Sequence, residues 1–181
     1  RALLVMAALA LTAPATVATA DDGVIIDVSG AKRGRYPIAV PVAVDSDGAV
    51  AAEVAAVASF DLGVAGYFKV LDPASFLADL GAEKLGIDPA KWKDVGAYGV
   101  IKYRVVATGD KIDLEARLFE VSKGNSAVLT KTYRGSKADL RKLTHAWCNE
   151  VVKYYTGEYG FFGSRIAYVA KKRGASQVMV A

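Results

Sequence analysis

A single cysteine, Cys148, and a single histidine, His145, are all that 181 residues offer to disulfide and imidazole chemistry. One cysteine closes no internal disulfide, so its thiol is buried, held in a mixed disulfide, or a link between chains, and burial is the simplest of these. With one histidine, any serine or cysteine nucleophile would depend on His145, and no nucleophile elbow surrounds a serine. Gly63, Gly66, Gly81 and Gly86 lack the spacing of a dinucleotide fingerprint, and Gly135-Ser136-Lys137 lacks the preceding glycine of a phosphate-binding loop. These absences argue against an enzyme, and no cofactor is implied. His145 and Cys148 are three apart, a helical spacing that can aim two metal ligands to one side. Two more ligands would have to be carboxylates, and Cys148 falls between Thr144 and Val151 on an apolar stripe, so packing is the better account and no metal site is expected.

Strong charge of one sign is also missing. The chain carries 23 basic and 19 acidic residues, and most of the excess comes from Lys171-Lys172-Arg173. Basic residues are dispersed among acids with no arginine and lysine stripe interleaved with aromatics, which weakens any nucleic-acid reading. The longest apolar run, Ala2 to Leu11, is about half of the ~20 residues that a membrane span needs. Thr12 and Pro14 break it, and Ala18-Thr19-Ala20 supplies small residues before the acidic pair Asp21-Asp22. That is the anatomy of a signal peptide over residues 1–20, with cleavage expected after Ala20. The start at Arg1 instead of Met suggests a fragment. Cleavage would leave Asp21 first, not a lipid-carrying cysteine, so a periplasmic product with no stable membrane anchor is expected.

Residues 21–35 then read as an arm. Val24, Ile25, Ile26, Asp27, Val28 and Ser29 make a short strand-like piece, and Gly30 to Arg35 is glycine-bearing and basic. Such a piece can add to a sheet edge on a partner, or can be an edge strand of the domain's own sheet; the sequence leaves both open.

Residues 36–160 carry the pattern of an α/β domain. Ile38 to Val44 is a near-continuous apolar run, read as a strand near a sheet edge because of Pro41. Val50, Val54, Val57, Phe60 and Val64 recur at spacings of three and four, predicting a helix over 49–64 with Ser46 or Asp47 as its cap. Tyr67 to Leu71 is a second strand. Short helical turns are expected around 75–80 and 89–93, the latter with Pro89 in its first turn. Val100 to Thr108, Ile112 to Val121 and Val128 to Arg134 are separated by turn residues and predict two hairpins. Leu114, Ala116 and Leu118 alternate with Asp113, Glu115 and Arg117, so the middle strand has one dry side and one wet side. Ser136 and Asp139 form a capping box ahead of a helix marked by Leu140, Leu143, Thr144, Trp147, Val151 and Tyr154 or Tyr155, ending at Gly157. The expected fold class is α/β, a small mixed sheet with helices packed on it.

After that helix the chain reads Thr156-Gly157-Glu158-Tyr159-Gly160-Phe161-Phe162-Gly163-Ser164-Arg165-Ile166-Ala167-Tyr168-Val169. This run resembles the TolB family, at the passage from its N-terminal α/β domain into the first strand of a β-propeller. Pro37-Ile38-Ala39-Val40 with Pro41, Gly66-Tyr67-Phe68, Leu71-Asp72 and Trp92 ahead of Val95-Gly96-Ala97 agree in order and spacing. The resemblance implies an N-terminal fold similar to anticodon-binding domains, with residues 161–181 as the first strands of a truncated propeller, the second at 176–180 after a turn at Arg173-Gly174. Two strands of one blade should pack poorly. It also implies a non-enzymatic scaffold of the Tol-Pal system, supporting outer-membrane integrity and cell division. The arm, through Val24 to Ser29, would engage the C-terminal domain of TolA, and the propeller would engage Pal. An unrelated exported α/β accessory factor and an RNA-binding module are the alternatives.

Overall fold

The computed structural model describes residues 34–180, apart from 45, 166, 173 and 174. The predicted arm residues Val24 to Ser29 and the leader lie outside the described residues.

The body is a five-stranded sheet in the order β2-β1-β3-β4-β5. Its strands are β1 (Tyr36–Ala39), β2 (Phe68–Val70), β3 (Gly99–Thr108), β4 (Lys111–Glu120) and β5 (Ala127–Ser136). β1 runs parallel to β2 and β3, while β3, β4 and β5 form an antiparallel meander. The mixed α/β class and both hairpins therefore stand as expected.

Besides the helical turn expected around 75–80, where a 3-10 turn covers Pro73–Ser75 and the next helix begins only at Leu80, two features differ from the sequence reading. β1 starts and stops earlier than the 38–44 run; it lies near the sheet edge as expected, one strand in, with β2 outside it. Pro41 falls beyond its end and removes no ladder donor. Pro37 is tolerated because its carbonyl accepts from Tyr98 N (3.0 Å), one residue ahead of β3. In a parallel ladder a residue's N and O face the same side, so the missing N–H points past the beginning of β3.

The second difference concerns helix α1 (Gly48–Val64). Asp47 caps it, accepting from Ala49 N and Val50 N. Its buried line is Ala51, Val54, Ala55, Val57, Ala58, Asp61 and Leu62, whereas Phe60 and Val64 from the predicted stripe are exposed. Three alanines, Ala51, Ala55 and Ala58, stand on the buried side, where their small side chains let the helix pack closely. Ser46 does other work: its Oγ accepts from Val105 N (2.9 Å).

Two layers of side chains flank the sheet. On one side α1 and α4 (Leu140–Thr156) cover Ile101, Tyr103, Val105, Ile112, Leu114, Ala116 and Leu118. Leu114, Ala116 and Leu118 are the dry side foreseen from alternation. The Tyr103 hydroxyl donates to Ala51 O (2.7 Å) and accepts from Ala43 N (3.3 Å), tying β3 to the start of α1. On the other side α2 (Leu80–Glu83) and α3 (Pro89–Asp94) place Trp92 over Ala39, Val100 and Phe119. The Ser136 and Asp139 capping box forms, on a single 3-10 turn that leads into α4.

Beyond the body, β6 (Ala167–Lys172) and β7 (Ala175–Val180) form a separate antiparallel hairpin. Tyr168, Val169, Val178, Met179 and Val180 are exposed on it, the poor packing expected of two isolated strands. Among the described residues no helix is long and apolar enough to cross a membrane.

Candidate functional site

Gly34 and Arg35, the first described residues, are both exposed and stand immediately before β1. Tyr36 is the first residue held by the sheet, its N donating to Tyr67 O (2.8 Å). Around it stands a cluster of aromatic rings. Tyr36 meets Tyr155 at 4.6 Å between centroids, Tyr98 at 5.6 Å and Phe68 at 6.4 Å. Gly99 sits beneath them, where a Cβ would come within 3.0 Å of the Tyr155 hydroxyl and 3.1 Å of the Tyr36 ring. The fully buried Glu120 carboxylate accepts from Tyr154 (3.0 Å) and pairs with Lys123 at 3.4 Å.

Burial pushes the Tyr36 hydroxyl up to about 12 and the more enclosed Tyr155 further in the same direction. These groups stay protonated donors near neutrality and are not acid–base participants. Alongside runs a groove of about 430 Å³ lined by Lys93, Ala97, Tyr98, Val121 and Ser122. The arrangement offers contact area and hydrogen bonds, with no nucleophile beside a base.

His145 and Cys148, the pair singled out for metal spacing, do converge with a third group that the sequence did not suggest. His145 Nδ1 lies 2.6 Å from Asp61 Oδ2, and Asp61 also hydrogen-bonds the Cys148 thiol. Asp61 and Cys148 are buried, while His145 sits on the flank of α4. Burial, reinforced by the Asp61 carboxylate, pushes the Cys148 thiol well up, the opposite of nucleophile activation. Among the described residues no group of three or more side chains is arranged to hold a metal. The cluster instead bolts α1 to α4 through their buried sides. Only one hint in the sequence marked Asp61: it is one of two charged residues in an otherwise apolar helix.

A second polar network fastens the opposite layer. Glu83 accepts from Lys102 Nζ (2.6 Å), from Trp92 Nε1 (3.1 Å to each oxygen) and from Asp88 N (2.7 Å). Further out on this side of the sheet, Arg104 and Arg117 flank Glu115, holding its carboxyl below the usual range. Arg134 pairs with Asp113 there too. Acids neutralise bases across this surface, which does not make a phosphate-binding stripe.

Comparison with known proteins gives one consistent answer. The family described as the TolB amino-terminal domain matches residues 24–127. The Tol-Pal system protein TolB of Anaeromyxobacter dehalogenans strain 2CP-C is 39% identical over 183 residues, covering 99% of this chain and 42% of that protein. Its counterpart in Geobacter sulfurreducens is 32% identical over 132 residues, covering 73% of this chain and 30% of the relative. The crystal structure of TolB from Acinetobacter baumannii superposes with a TM-score of 0.68 at 20% identity, over 82% of this chain and 36% of that one. The chain thus spans about two fifths or less of the length of these relatives. With more than half of its residues matched by the amino-terminal-domain family and its fold shared with a solved TolB, the chain belongs to the TolB family.

Proposed function

We propose that this protein works in the periplasm as a protein-binding component of the Tol-Pal system, without catalysis. Residues 21–35 are its arm, freed by removal of the leader after Ala20, and Val24, Ile25, Ile26, Asp27, Val28 and Ser29 pair as an added strand with the C-terminal domain of TolA. One observation carries this reading: the family match begins at residue 24, so the arm belongs to the same inherited unit as the body. The names of the relatives, each a Tol-Pal system protein, supply the system. Physical suitability adds to it, since an extended segment gains affinity from backbone pairing and register from alternate side chains.

The body, residues 36–160, then serves as a support that presents the arm beside the tyrosine cluster. By the same resemblance Pal would be engaged through the propeller, of which residues 161–181 would be the first strands. The test is removal of residues 21–29 followed by titration against the TolA C-terminal domain by calorimetry. The reading requires binding by the parent chain and none by the shortened one; equal affinity of the two would refute it.

A further inference from the structure

Helix α4 ends at Gly157, whose φ of +82° and N–H to Lys153 O (2.8 Å) reverse the chain. The residues that follow run back along the helix. Thr156 fixes the reversal: its hydroxyl donates to Val152 O (2.9 Å), and the same oxygen accepts from Glu158 N (3.2 Å). Tyr159 lies against Lys153, whose Nζ is 4.1 Å from the ring centroid, and its hydroxyl reaches Glu150 at 3.4 Å.

Asn149 then makes both bonds of a backbone pair. Its Nδ2 donates to Phe162 O (3.0 Å), and its Oδ1 accepts from Phe162 N (3.1 Å). The fit around it is tight: a Cβ at Gly160 would fall 2.5 Å from Asn149 Oδ1. Phe162 packs its ring against the main core, and the Cβ position of Gly163 is 3.6 Å from His145 Cβ. Below the segment lies a cavity of about 60 Å³, lined by Ala65, Tyr67 and Val152 of the body together with the returning residues.

We propose that residues 157–164 form a strap latched to α4 by Asn149, a local two-state element that opens without unfolding the body and, when open, uncovers His145 and the cavity. Beyond the turn at Gly157, its main ties to the body are one side-chain amide, one half-buried ring, an exposed tyrosine and the approach of Gly163 to His145. Segments held so lightly open before the global transition does. The latch also sets the direction in which the chain leaves α4 toward β6, because Asn149 grips the backbone only two residues before Ser164. A Cβ at Gly160 would push the Asn149 amide out of its gripping position.

Hydrogen exchange on the 181-residue chain tests this. Asn149→Ala should speed exchange of the Phe162 amide roughly tenfold or more, the loss of two hydrogen bonds of ordinary strength. Gly160→Ala should do the same from the strap's side while leaving α4 untouched. Asn149→Asp, which keeps the acceptor and loses the donor, should fall between. In all three, amides of β4 should exchange as in the parent chain. An unchanged Phe162 amide, or acceleration of Phe162 and β4 together, would overturn the proposal.

Discussion

Replacing Glu83 by alanine should be among the most damaging single changes on the side of the sheet away from α1 and α4. The carboxylate is nearly buried and receives three donors: the Lys102 ammonium at 2.6 Å, the Trp92 indole N–H and the Asp88 amide. Lys102 itself is almost entirely enclosed. Breaking a buried ion pair from one side costs about 3–5 kcal/mol, because the remaining charge stays desolvated. Trp92 also loses its acceptor, and an indole N–H left buried adds to the penalty. Glu83→Gln should cost less, since an amide can still accept from Trp92 and Asp88 but loses the charge opposite Lys102. The assay is urea unfolding in a Trp147→Phe background, where fluorescence reports Trp92 alone of the two tryptophans. A loss within about 1 kcal/mol for Glu83→Ala would show that this network is a surface pair in energetic terms and refute the reasoning.

Four other predictions concern single groups. Tyr103→Phe should cost about 1–2 kcal/mol by removing the hydroxyl that donates to Ala51 O and accepts from Ala43 N; urea unfolding that matches the parent would count against it. Burial pushes the Tyr103 hydroxyl up to about 12, so the folded state holds its proton more tightly than the unfolded chain, whose tyrosines titrate near 10. That stability is complete below about pH 10 and is lost as the pH rises to about 12, up to roughly 3 kcal/mol from this group. Circular dichroism should therefore fall as the pH rises from about 10 to about 12, and Tyr103→Phe should lose less of its stability over that range than the parent chain; equal losses in the two would contradict the assignment. Cys148 should resist a thiol-specific disulfide reagent in native buffer and react at once in denaturant, because its thiol is buried and its pKa raised; rapid native labelling would be inconsistent with this. Gly99→Ala should destabilise by about 1–3 kcal/mol through overpacking against Tyr155 and Tyr36, read as a fall in melting temperature, and an unchanged melting temperature would mean the rings yield freely.

Local signals in the sequence carried the elements whose cause is local. The Ser136 and Asp139 box and the glycine at 157 bound α4 because capping and termination are decided within a few residues. Both hairpins were legible because alternation in β4 records which side of the strand is dry. β1 was misplaced for the opposite reason: apolar residues continue through Val44, and only the partners of β1 decide where pairing stops. Phe60 and Val64 were assigned to a buried stripe because spacing alone cannot tell which of two apolar sides of α1 meets the sheet. Asp61 and His145 are 84 residues apart, and Glu83 and Lys102 are 19 apart on different elements. No periodicity relates such pairs, so these two polar clusters emerge only when the chain is folded. The family resemblance rested on the order of short motifs, and it extended to the passage after α4 for the same local reasons.

The position of β1 has a kinetic side. It is the first strand among the described residues, yet it must slot between β2 and β3, with register partners at residues 68–70 on one side and 99–100 on the other. The meander of β3, β4 and β5 can close through short turns, whereas seating β1 requires the whole intervening chain to be gathered first. A strand made before its neighbours is therefore among the last to settle, and the entry into the sheet at Tyr36 matures only when the rest of it is in place. Pulse-labelled exchange during refolding should accordingly find β4 amides protected before those of Tyr36 and Ile38, and the reverse order would show that β1 nucleates the sheet.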